Sequence, residues 1–405
     1  MRILAVHSFY QQLGGEDLSF AAECDLLERN GHEVERFTLD NNVLSNMSAL
    51  RAGMVTFWNP LVGRLVRDVI RRHRPDVMHC TNLFPTISPS CYWAAAREGV
   101  PIVQALRNYR LLCPAATLFR DGAPCERCIS KRFAIDAIRF GCYRGSRAAS
   151  AVTAASTLMH RAIGSWDRVH VFYTLTRFAR QKFVEAGFAP ERILVKPNFL
   201  EPDPGAGDGA DGGVIFVGRL SPEKGLDTLL KAWGRISGNI SLRIVGDGPL
   251  AGEVARAAAS DPRIEWVGAL PPAQTLELIR RARCLVMPSN WYETFGRTIM
   301  EAFACGTPVI ASDLGAMAEL VEHGRTGLLY TAGDPEALAA TVQRFWDSPA
   351  QGSAMGVAAR SLYLREFTGS ANYTMLMALY ERAIAVARHS AAIAAPEVVR
   401  RGKLA

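Results

Sequence analysis

The chain has 405 residues, a formal net charge of +7 and a hydrophobic fraction of 49%. This length exceeds what one hydrophobic core usually serves, so two domains are expected, and the composition excludes intrinsic disorder. The absence of a membrane-length apolar run or a secretion signal favours a cytosolic protein, in which the nine cysteines are reduced thiols. The mildly basic charge suits a phosphate-bearing partner or an anionic membrane surface.

Strands and helices alternate through the first half of the chain. Short apolar runs, several introduced by proline, are typical of buried strands, and the segments between them are typical of amphipathic helices. This alternation predicts βαβ units and a parallel sheet. The predicted strands are Ile3–His7, His32–Leu39, Val77–Cys80, Ile102–Leu106 and Val169–Leu175, and the predicted helices are Glu16–Arg29 and Thr176–Ala186.

A run rich in proline, glycine and aspartate at 202–209 indicates a linker, and the alternation restarts beyond it. We therefore predict an α/β chain with two Rossmann-like, doubly wound domains at 1–200 and 214–375. The linker spans 201–213, and a C-terminal helix at 376–402 is expected to return to the N-terminal domain. Ligands bind at the carboxyl ends of such strands, so two edges should face each other across a cleft. The later predicted strands are Val214–Leu220, Ser241–Asp247, Ile264–Gly268, Cys284–Ser289, Pro308–Ser312 and Gly327–Tyr330.

Two cations, Arg219 and Lys224, follow the first of these later strands in a strand-to-helix turn that begins at Gly218. Such a turn offers backbone N–H groups, to which Arg and Lys add charge-assisted hydrogen bonds to phosphate. The alternative is that both are solvated surface cations. The turn is not a P-loop, because Lys224 lacks the Ser or Thr that follows the lysine of that motif.

Two carboxylates, Glu293 and Glu301, flank the predicted start of a helix at Gly296. Glu301 stands in an apolar run, where an unpartnered carboxylate is costly to bury. The free N–H groups of the first helical turn lie between the two and form an anion site. This order of acceptors, amide donors and acceptors matches the sugar, diphosphate and ribose of a nucleotide sugar. The alternative is two surface charges, which the apolar neighbours of Glu301 disfavour.

These motifs, with "VIFVGRLSPEKGLDTLLKAW" and "ACGTPVIASDLGAMAELVEHGRTGLLY", resemble the retaining glycosyltransferases of family four, which have the GT-B fold. The resemblance covers roughly residues 1 to 385. It implies transfer of a sugar from a nucleotide-diphosphate sugar, a UDP- or GDP-sugar, with no catalytic metal and no nucleic acid. Arg219 and Lys224 would hold the diphosphate, Glu293 the sugar and Glu301 the ribose. The backbone amides around Thr294, Phe295, Gly296 and Arg297 would assist.

In the N-terminal domain, Gly14 and Gly15 follow the first strand. Two glycines at this place are compatible with a plain turn and with a loop that faces phosphate, and the resemblance favours the loop.

The run "QALRNYRLLCPAATLFRDGAPCERC" resembles a bacterial subgroup linked to surface polysaccharides. That subgroup usually carries His where this chain has Arg107. Arginine binds phosphate bidentately but does not shuttle protons near neutral pH, so Arg107 is expected to act as a third cation. For His79, we favour the interpretation that it is a histidine at the edge of the core with a hydrogen-bond partner.

A group of four cysteines and a group of four arginines each allow two interpretations. Cys113, Cys125, Cys128 and Cys142 could make a structural zinc site, but a second C-x2-C pair is missing and ordinary buried thiols are the default. Arginines recur at helical spacing and could lie on anionic lipid, although a solvated charged face is favoured. These arginines are Arg64, Arg67, Arg71 and Arg74.

The sequence therefore predicts a cytoplasmic glycosyltransferase, in part at the inner face of the membrane, with a glycan or lipid-linked saccharide as acceptor. An alternative, motivated by Arg107, is a non-catalytic nucleotide-sugar-binding subunit of a polysaccharide assembly. A third, an epimerase with the same fold, is disfavoured by the intact pair Glu293 and Glu301.

Overall fold

The computed structural model describes residues 1–11, 14–209 and 211–394, and the structural statements below concern these residues. Its main strands form two six-stranded sheets, and a short hairpin stands apart. We call the parts built on the two sheets the N-terminal half and the C-terminal half. The strands of the N-terminal half are β1 (Arg2–Phe9), β2 (Glu33–Asp40), β3 (Val77–Cys80), β4 (Ile102–Leu106), β5 (Phe119–Arg120), β6 (Ala123–Pro124), β7 (Val171–Thr174) and β8 (Ile193–Val195).

The first sheet is entirely parallel and has the order β2-β1-β3-β4-β7-β8, so the strand order reverses direction between β1 and β3. Strand β1 is buried over six consecutive residues, as expected for a strand covered on both faces. The antiparallel hairpin of β5 and β6 and the three-residue β8 were not predicted, because such short runs carry no clear period-2 signal. The helices of this half are α1 (Gly15–Arg29), α2 (Ala49–Phe57), α3 (Pro60–His73), α4 (Ser90–Arg97), α5 (Ile135–Arg139), α6 (Arg147–Ala162) and α7 (Arg177–Glu185).

The second sheet repeats this architecture. It is also parallel, with the order β11-β10-β9-β12-β13-β14, and its order reverses between β9 and β12. The prediction of two doubly wound α/β units is therefore confirmed. Its strands are β9 (Val214–Val217), β10 (Leu242–Val245), β11 (Ile264–Gly268), β12 (Cys284–Met287), β13 (Val309–Ser312) and β14 (Gly327–Tyr330). Its helices are α8 (Leu226–Trp233), α9 (Ala251–Ser260), α10 (Pro272–Arg281), α11 (Arg297–Ala304), α12 (Gly315–Leu320), α13 (Pro335–Trp346) and α14 (Pro349–Glu366).

The last helix, α15 (Gly369–Ala394), packs against β3, β4, β7 and α1 of the N-terminal half. It begins earlier than the predicted position 376, and residues 395–402 of that prediction lie outside the described residues. The side chain of Asn372 donates to the carbonyl of Pro197 at 2.7 Å, and the hydroxyl of Tyr363 donates to the carbonyl of Leu200 at 3.1 Å. The chain therefore passes between the two halves at two places, near Pro197 to Leu200 and near Tyr363 to Asn372, and these two segments lie next to each other.

Candidate active-site cleft

A cleft with an empty volume of about 890 Å³ lies between the carboxyl edges of the two sheets. Both sheets place the ends of their central strands here, as the topology of doubly wound sheets requires. Three predicted site residues, Gly14, Arg219 and Glu301, do not line this cleft. The predicted residues that do line it are Gly15, Arg107, Gly218, Lys224, Glu293, Thr294, Phe295, Gly296 and Arg297.

The cation Lys224 and the carboxylate Glu293 meet at the centre of the C-terminal wall. The ammonium of Lys224 lies 2.6 Å from Oε1 of Glu293, which also accepts from the hydroxyl of Ser289 at 2.9 Å. The turn that carries Lys224 is held against β12 by Gly225, which has a φ of +71°. A Cβ at Gly225 would lie 1.8 Å from the carbonyl oxygen of Pro288, so only glycine allows this close approach.

The first turn of α11 forms the adjoining wall, with Thr294 and Thr298 both lining the cleft. Gly296 starts the helix in the left-handed region with a φ of +84°, and the buried ring of Phe295 anchors the turn in the core. Unsatisfied N–H groups and the positive end of the helix dipole therefore lie where an anion could bind. This is the arrangement that the sequence predicted for a diphosphate.

The second predicted carboxylate, Glu301, has a partner within its own helix. Nε of Arg297 lies 2.9 Å from Oε1 of Glu301, an i,i+4 pair in which the carboxylate is mostly buried. Burial raises the pKa of Glu301, and the charge of Arg297 opposes that rise. The cost of an apolar setting for Glu301 is thus offset by Arg297 in the empty cleft, a contact that the helical spacing offered and that the sequence interpretation overlooked.

Arg219 and the glycine pair lie at the margins of the cleft. The side chain of Arg219 is exposed, and no ion pair or side-chain hydrogen bond involves it among the described residues. Gly14 has an extended backbone, and a Cβ at Gly15 would meet nothing within 4 Å. The fold itself therefore does not require glycine at either position. The space beside Gly15, on the side of the cleft, is open.

The guanidinium of Arg107 reaches the cleft from the N-terminal half but is not a free cation. Its Nη2 lies 2.7 Å from Oε1 of the buried Glu23 and 3.2 Å from the hydroxyl of Tyr173. Its Nη1 donates to Oδ1 of Asn198 at 2.5 Å. The expectation that Arg107 acts as a third cation is thus modified, because its guanidinium is already paired with a carboxylate.

Glu23 is shared between two cations. Its Oε1 also lies 2.6 Å from the ammonium of the buried Lys196, which in turn donates to Asn372 at 2.9 Å. Burial favours the neutral acid, but the cations Arg107 and Lys196 outweigh it and hold the pKa of Glu23 well below its usual range. Burial lowers the pKa of Lys196. The network therefore joins α1, β4, the crossing segment and α15.

His79 borders this network. Its Nδ1 lies 2.8 Å from the hydroxyl of Tyr380 and its Nε2 lies 3.2 Å from the hydroxyl of Tyr173. Burial lowers the pKa of His79 to about 4, although the carboxylate of Glu23 opposes the shift. His79 is therefore a neutral, fully partnered core histidine, which agrees with the structural interpretation preferred from the sequence.

Sequence reasoning missed several residues of the cleft and its surroundings. Glu16, Ser19, Asn198 and Ser289 line the cleft, and Glu23 holds Arg107. Ser289 could have been found, because it follows a predicted strand at its carboxyl end. Glu23 offered the signal used for Glu301, a carboxylate within the apolar run SFAAECDLL. Nothing in the sequence marked Asn198, which lies on the crossing segment.

The structure offers no metal site in the part of the chain that it describes. No group of three or more His, Cys, Asp or Glu side chains there could hold a metal ion. Cys113, Cys125, Cys128 and Cys142 form no disulfide, and the described residues do not gather three of them into such a group.

The basic helix α3 has both arginines that approach a carboxylate and leucines that are exposed to solvent. Arg71 and Arg67 approach Glu98 at 2.9 and 3.8 Å, whereas Leu61 and Leu65 are exposed beside them. No described helix is both long and apolar enough to cross a bilayer. Contact with a membrane surface stays a prediction.

Two family models together match most of the chain. Residues 14–198 match the glycosyl transferase 4-like domain, and residues 211–348 match glycosyl transferases group 1. The chain combines the two domains of a group 1 glycosyltransferase. The recognition of a glycosyltransferase is thereby confirmed at this level.

Curated relatives of this glycosyltransferase chain resemble mainly one part of it. It is 36% identical over 170 residues to an alpha-maltose-1-phosphate synthase of Mycolicibacterium smegmatis, covering 38% of this chain and 44% of that protein. It is 34% identical over 182 residues to a D-inositol 3-phosphate glycosyltransferase of Corynebacterium efficiens, covering 42% of each. The chain thus spans less than half the length of these relatives. An uncharacterized 42.6 kDa protein in the cps region of Klebsiella pneumoniae is 22% identical over 356 residues, covering 79% of this chain and 87% of that one.

Solved structures match nearly the whole chain. Anabaena HepE in complex with UDP-glucose has a TM-score of 0.65 at 20% identity and covers 94% of this chain and 100% of its own. Sucrose-phosphate synthase from Thermosynechococcus elongatus has a TM-score of 0.69 at 18% identity, with 95% and 99% covered. At these identities the likeness concerns the fold, and it confirms the predicted GT-B arrangement.

Proposed function

We propose that this protein is a retaining glycosyltransferase that moves a sugar from a UDP- or GDP-sugar to a glycan or lipid-linked saccharide. Residues 214–375 would bind the donor and residues 1–200 the acceptor. The observation that carries the proposal is the assembly, in one cleft, of Lys224, Glu293 and the first turn of α11 opposite Arg107 and Gly15.

The cleft wall formed by the C-terminal half offers the groups that would bind a nucleotide diphosphate. Lys224 and the first-turn N–H groups of α11 supply positive charge and donors for the diphosphate. Glu293 accepts from hydroxyls of the donor sugar, and Glu301 from those of the ribose once the donor draws Arg297 aside. Arg219 closes over the phosphate from the rim. A structural relative with UDP-glucose bound supports a donor of this class.

The resemblance to retaining glycosyltransferases implies the chemistry of the transfer. The bond between the anomeric carbon and the diphosphate oxygen breaks, and the acceptor hydroxyl bonds to the same face of that carbon. The hydroxyl proton passes to the leaving phosphate oxygen, so no side-chain base is needed. Lys224 and the helix terminus stabilise the charge that develops on the diphosphate, which lowers the barrier to its departure.

A place in bacterial surface-polysaccharide synthesis is supported by the relative from a cps region. The exposed Leu61 and Leu65 beside the arginines of α3 would then rest against the inner membrane face, where a lipid-linked acceptor is presented.

The proposal is tested by incubating the full chain with a panel of UDP- and GDP-sugars and extracts of lipid-linked saccharides. Released nucleotide reports turnover, and the anomeric proton couplings of the product report retention or inversion. Transfer with inversion would refute the retaining mechanism. Tight nucleotide binding without release from any donor would support the non-catalytic alternative, and conversion of the donor without any acceptor would support an epimerase.

A further inference from the structure

A second cavity, with an empty volume of about 700 Å³, lies inside the N-terminal half. Its walls come from the segments after β3 and β4 and from one face of α6. It shares Glu16 and Arg107 with the active-site cleft, so the two spaces adjoin at these residues. We call it the inner cavity.

Three buried polar atoms on the walls of the inner cavity have no hydrogen-bond partner among the described residues. They are Oγ1 of Thr81, Nε of Arg107 and Nε1 of Trp166. Thr81 and Arg107 are each more than nine-tenths buried. An unsatisfied buried donor costs about 1–3 kcal/mol, so an oxygen acceptor that reached these atoms would be stabilised by them.

The inner cavity also carries a cation that forms no ion pair among the described residues. Arg110 is half-buried, lies 4.4 Å from the ring of Phe84 and 5.0 Å from that of Tyr143, and donates to the carbonyl of Pro114. No described carboxylate forms an ion pair with it. Burial lowers the pKa of Arg110, whereas the neighbouring Arg107 is paired with Glu23. A buried cation without a counter-charge is costly, so an anionic ligand group would relieve it.

Among the other titratable groups of the inner cavity, Glu16 acts on Arg110 through its charge and opposes the lowering of the Arg110 pKa, but the two form no ion pair among the described residues. Glu16 faces the junction with the cleft, where it accepts from the hydroxyl of Tyr10 at 2.6 Å and from Asn108 at 3.1 Å. His160 bonds Ser165 and the carbonyl of Phe57, and burial lowers its pKa. The remaining walls combine aromatic rings and aliphatic side chains with hydroxyls and amides, a combination suited to the apolar faces and hydroxyls of a sugar ring.

We propose that the inner cavity binds the terminal sugar of the acceptor and that this sugar carries an anionic group, a carboxylate or a phosphate, which pairs with Arg110. This inference rests on the proposed glycosyltransferase function and names the chemistry of its second substrate. Thr81, Trp166 and Nε of Arg107 then bond ring hydroxyls, and the attacking hydroxyl lies at the junction with the cleft.

The test uses three probes that share one ring: glucose, glucuronate and glucose 6-phosphate. Their binding to the full chain without nucleotide is measured by saturation-transfer NMR and titration. We expect at least one charged probe to bind roughly tenfold more tightly than glucose, because hydrogen bonds to charged groups contribute about 1.5–3 kcal/mol. The preferred charged probe distinguishes a uronic acid from a sugar phosphate.

Matched variants locate the binding. Arg110→Gln should reduce the affinity for the charged probe to that for glucose, and Arg110→Lys should keep part of it. Arg168→Gln is the control, since Arg168 also stacks on an aromatic ring, that of Trp93, but lies outside the inner cavity. Trp166→Phe should weaken all three probes several-fold, whereas Trp93→Phe removes an N–H group outside the cavity and should not.

Two results would overturn the proposal: equal affinity of the three probes for the wild type, or an affinity for the charged probe that Arg110→Gln leaves unchanged. Absence of binding by every probe up to about 50 mM, far above the millimolar range of weak sites, also overturns it. Titration with UDP and GDP, read in parallel, separates this outcome from failure of the proposed function. Binding of either nucleotide without probe binding rejects only the inner cavity, and probe binding without binding of either nucleotide rejects only the nucleotide site. Lys224→Ala should leave probe binding intact.

Discussion

The ammonium of Lys224 lies 2.6 Å from Oε1 of Glu293 on the wall of the cleft. The residue expected to bind diphosphate and the residue expected to bind sugar hydroxyls thus neutralise each other before a donor arrives. Each is held by other contacts, Glu293 by Ser289 and the turn of Lys224 by Gly225. The pair is therefore preorganised, and a diphosphate would compete for Lys224 without any need to rebuild the wall.

Replacing the cations of this wall should impair turnover. We expect Lys224→Ala and Arg219→Ala each to lower turnover by roughly 10² or more, because a preorganised charge stabiliser of the leaving group is lost. Lys231→Ala is the control, since Lys231 forms an exposed pair with Asp227 and should leave the rate unchanged. Rates are read from released nucleotide. Near-wild-type turnover in both variants would remove the two cations from the site.

The role of Glu301 can be separated from its contact with Arg297. Glu301→Gln should raise the donor KM about tenfold, because a charged acceptor for the ribose is lost. Stability should change little, since the amide can still accept from Arg297. Initial rates and thermal unfolding of the same preparations check both statements. An unchanged donor KM would leave Glu301 a structural partner of Arg297.

Arg107 should act through charge and position. Arg107→Ala is expected to lower turnover without adding or removing an inflection in the pH–rate profile between about pH 6 and 8, the range around the ordinary histidine pKa. Arg107→Lys should retain part of the rate. Activity of Arg107→Ala equal to the wild type would make this residue purely structural. If only Arg107→His turned over, the non-catalytic interpretation of the natural chain would gain support.

The buried ion pair of Arg107 and Glu23 should also contribute to the free energy of unfolding. Removing one member of a buried ion pair typically costs about 3–5 kcal/mol, because the other charge stays buried. We expect Arg107→Ala to fall at or below the lower end of this range, since Lys196 still contacts Glu23. Urea titration measures the difference. An equally large loss in Arg29→Ala, which breaks the exposed pair with Glu201, would contradict this account.

His79 should make stability depend on pH. Its pKa in the folded protein is about 4, below its ordinary value of 6.5, so the unfolded chain binds more protons between these two pH values. Stability is therefore lost as pH falls from about 6.5 to 4, by at most on the order of 3 kcal/mol from this residue. His79→Gln should flatten the slope of unfolding free energy in that window. Identical slopes in both proteins would show that His79 is not the cause.

Metal removal should leave the enzyme intact. The four cysteines between Cys113 and Cys142 offer no ligand set in this structure, so chelator treatment is expected to change neither transfer nor melting temperature. Elemental analysis of the purified protein is the direct check. One equivalent of zinc, released together with loss of the fold, would restore the zinc hypothesis.

The order of motifs along the C-terminal half was readable from the sequence by itself. The turn with Lys224 follows β9, and the loop with Glu293 follows β12. In a doubly wound sheet the ends of such strands meet at one edge, and these two strands are direct neighbours. Periodicity and local spacing therefore sufficed to predict the two-sheet fold and to group these residues, because their meeting depends only on strand direction and short connections.

The partners of the charged groups were decided by the tertiary structure. Arg107, Glu23 and Lys196 lie on three different elements, and no local pattern relates them before the sheet and α15 bring them together. The inner cavity is likewise invisible in the sequence, since Thr81 and Trp166 become its neighbours only through packing. Spacing specifies which residues share an edge, whereas burial and the exclusion of water from long-range contacts determine which charges are paired and which polar atoms are left for a ligand.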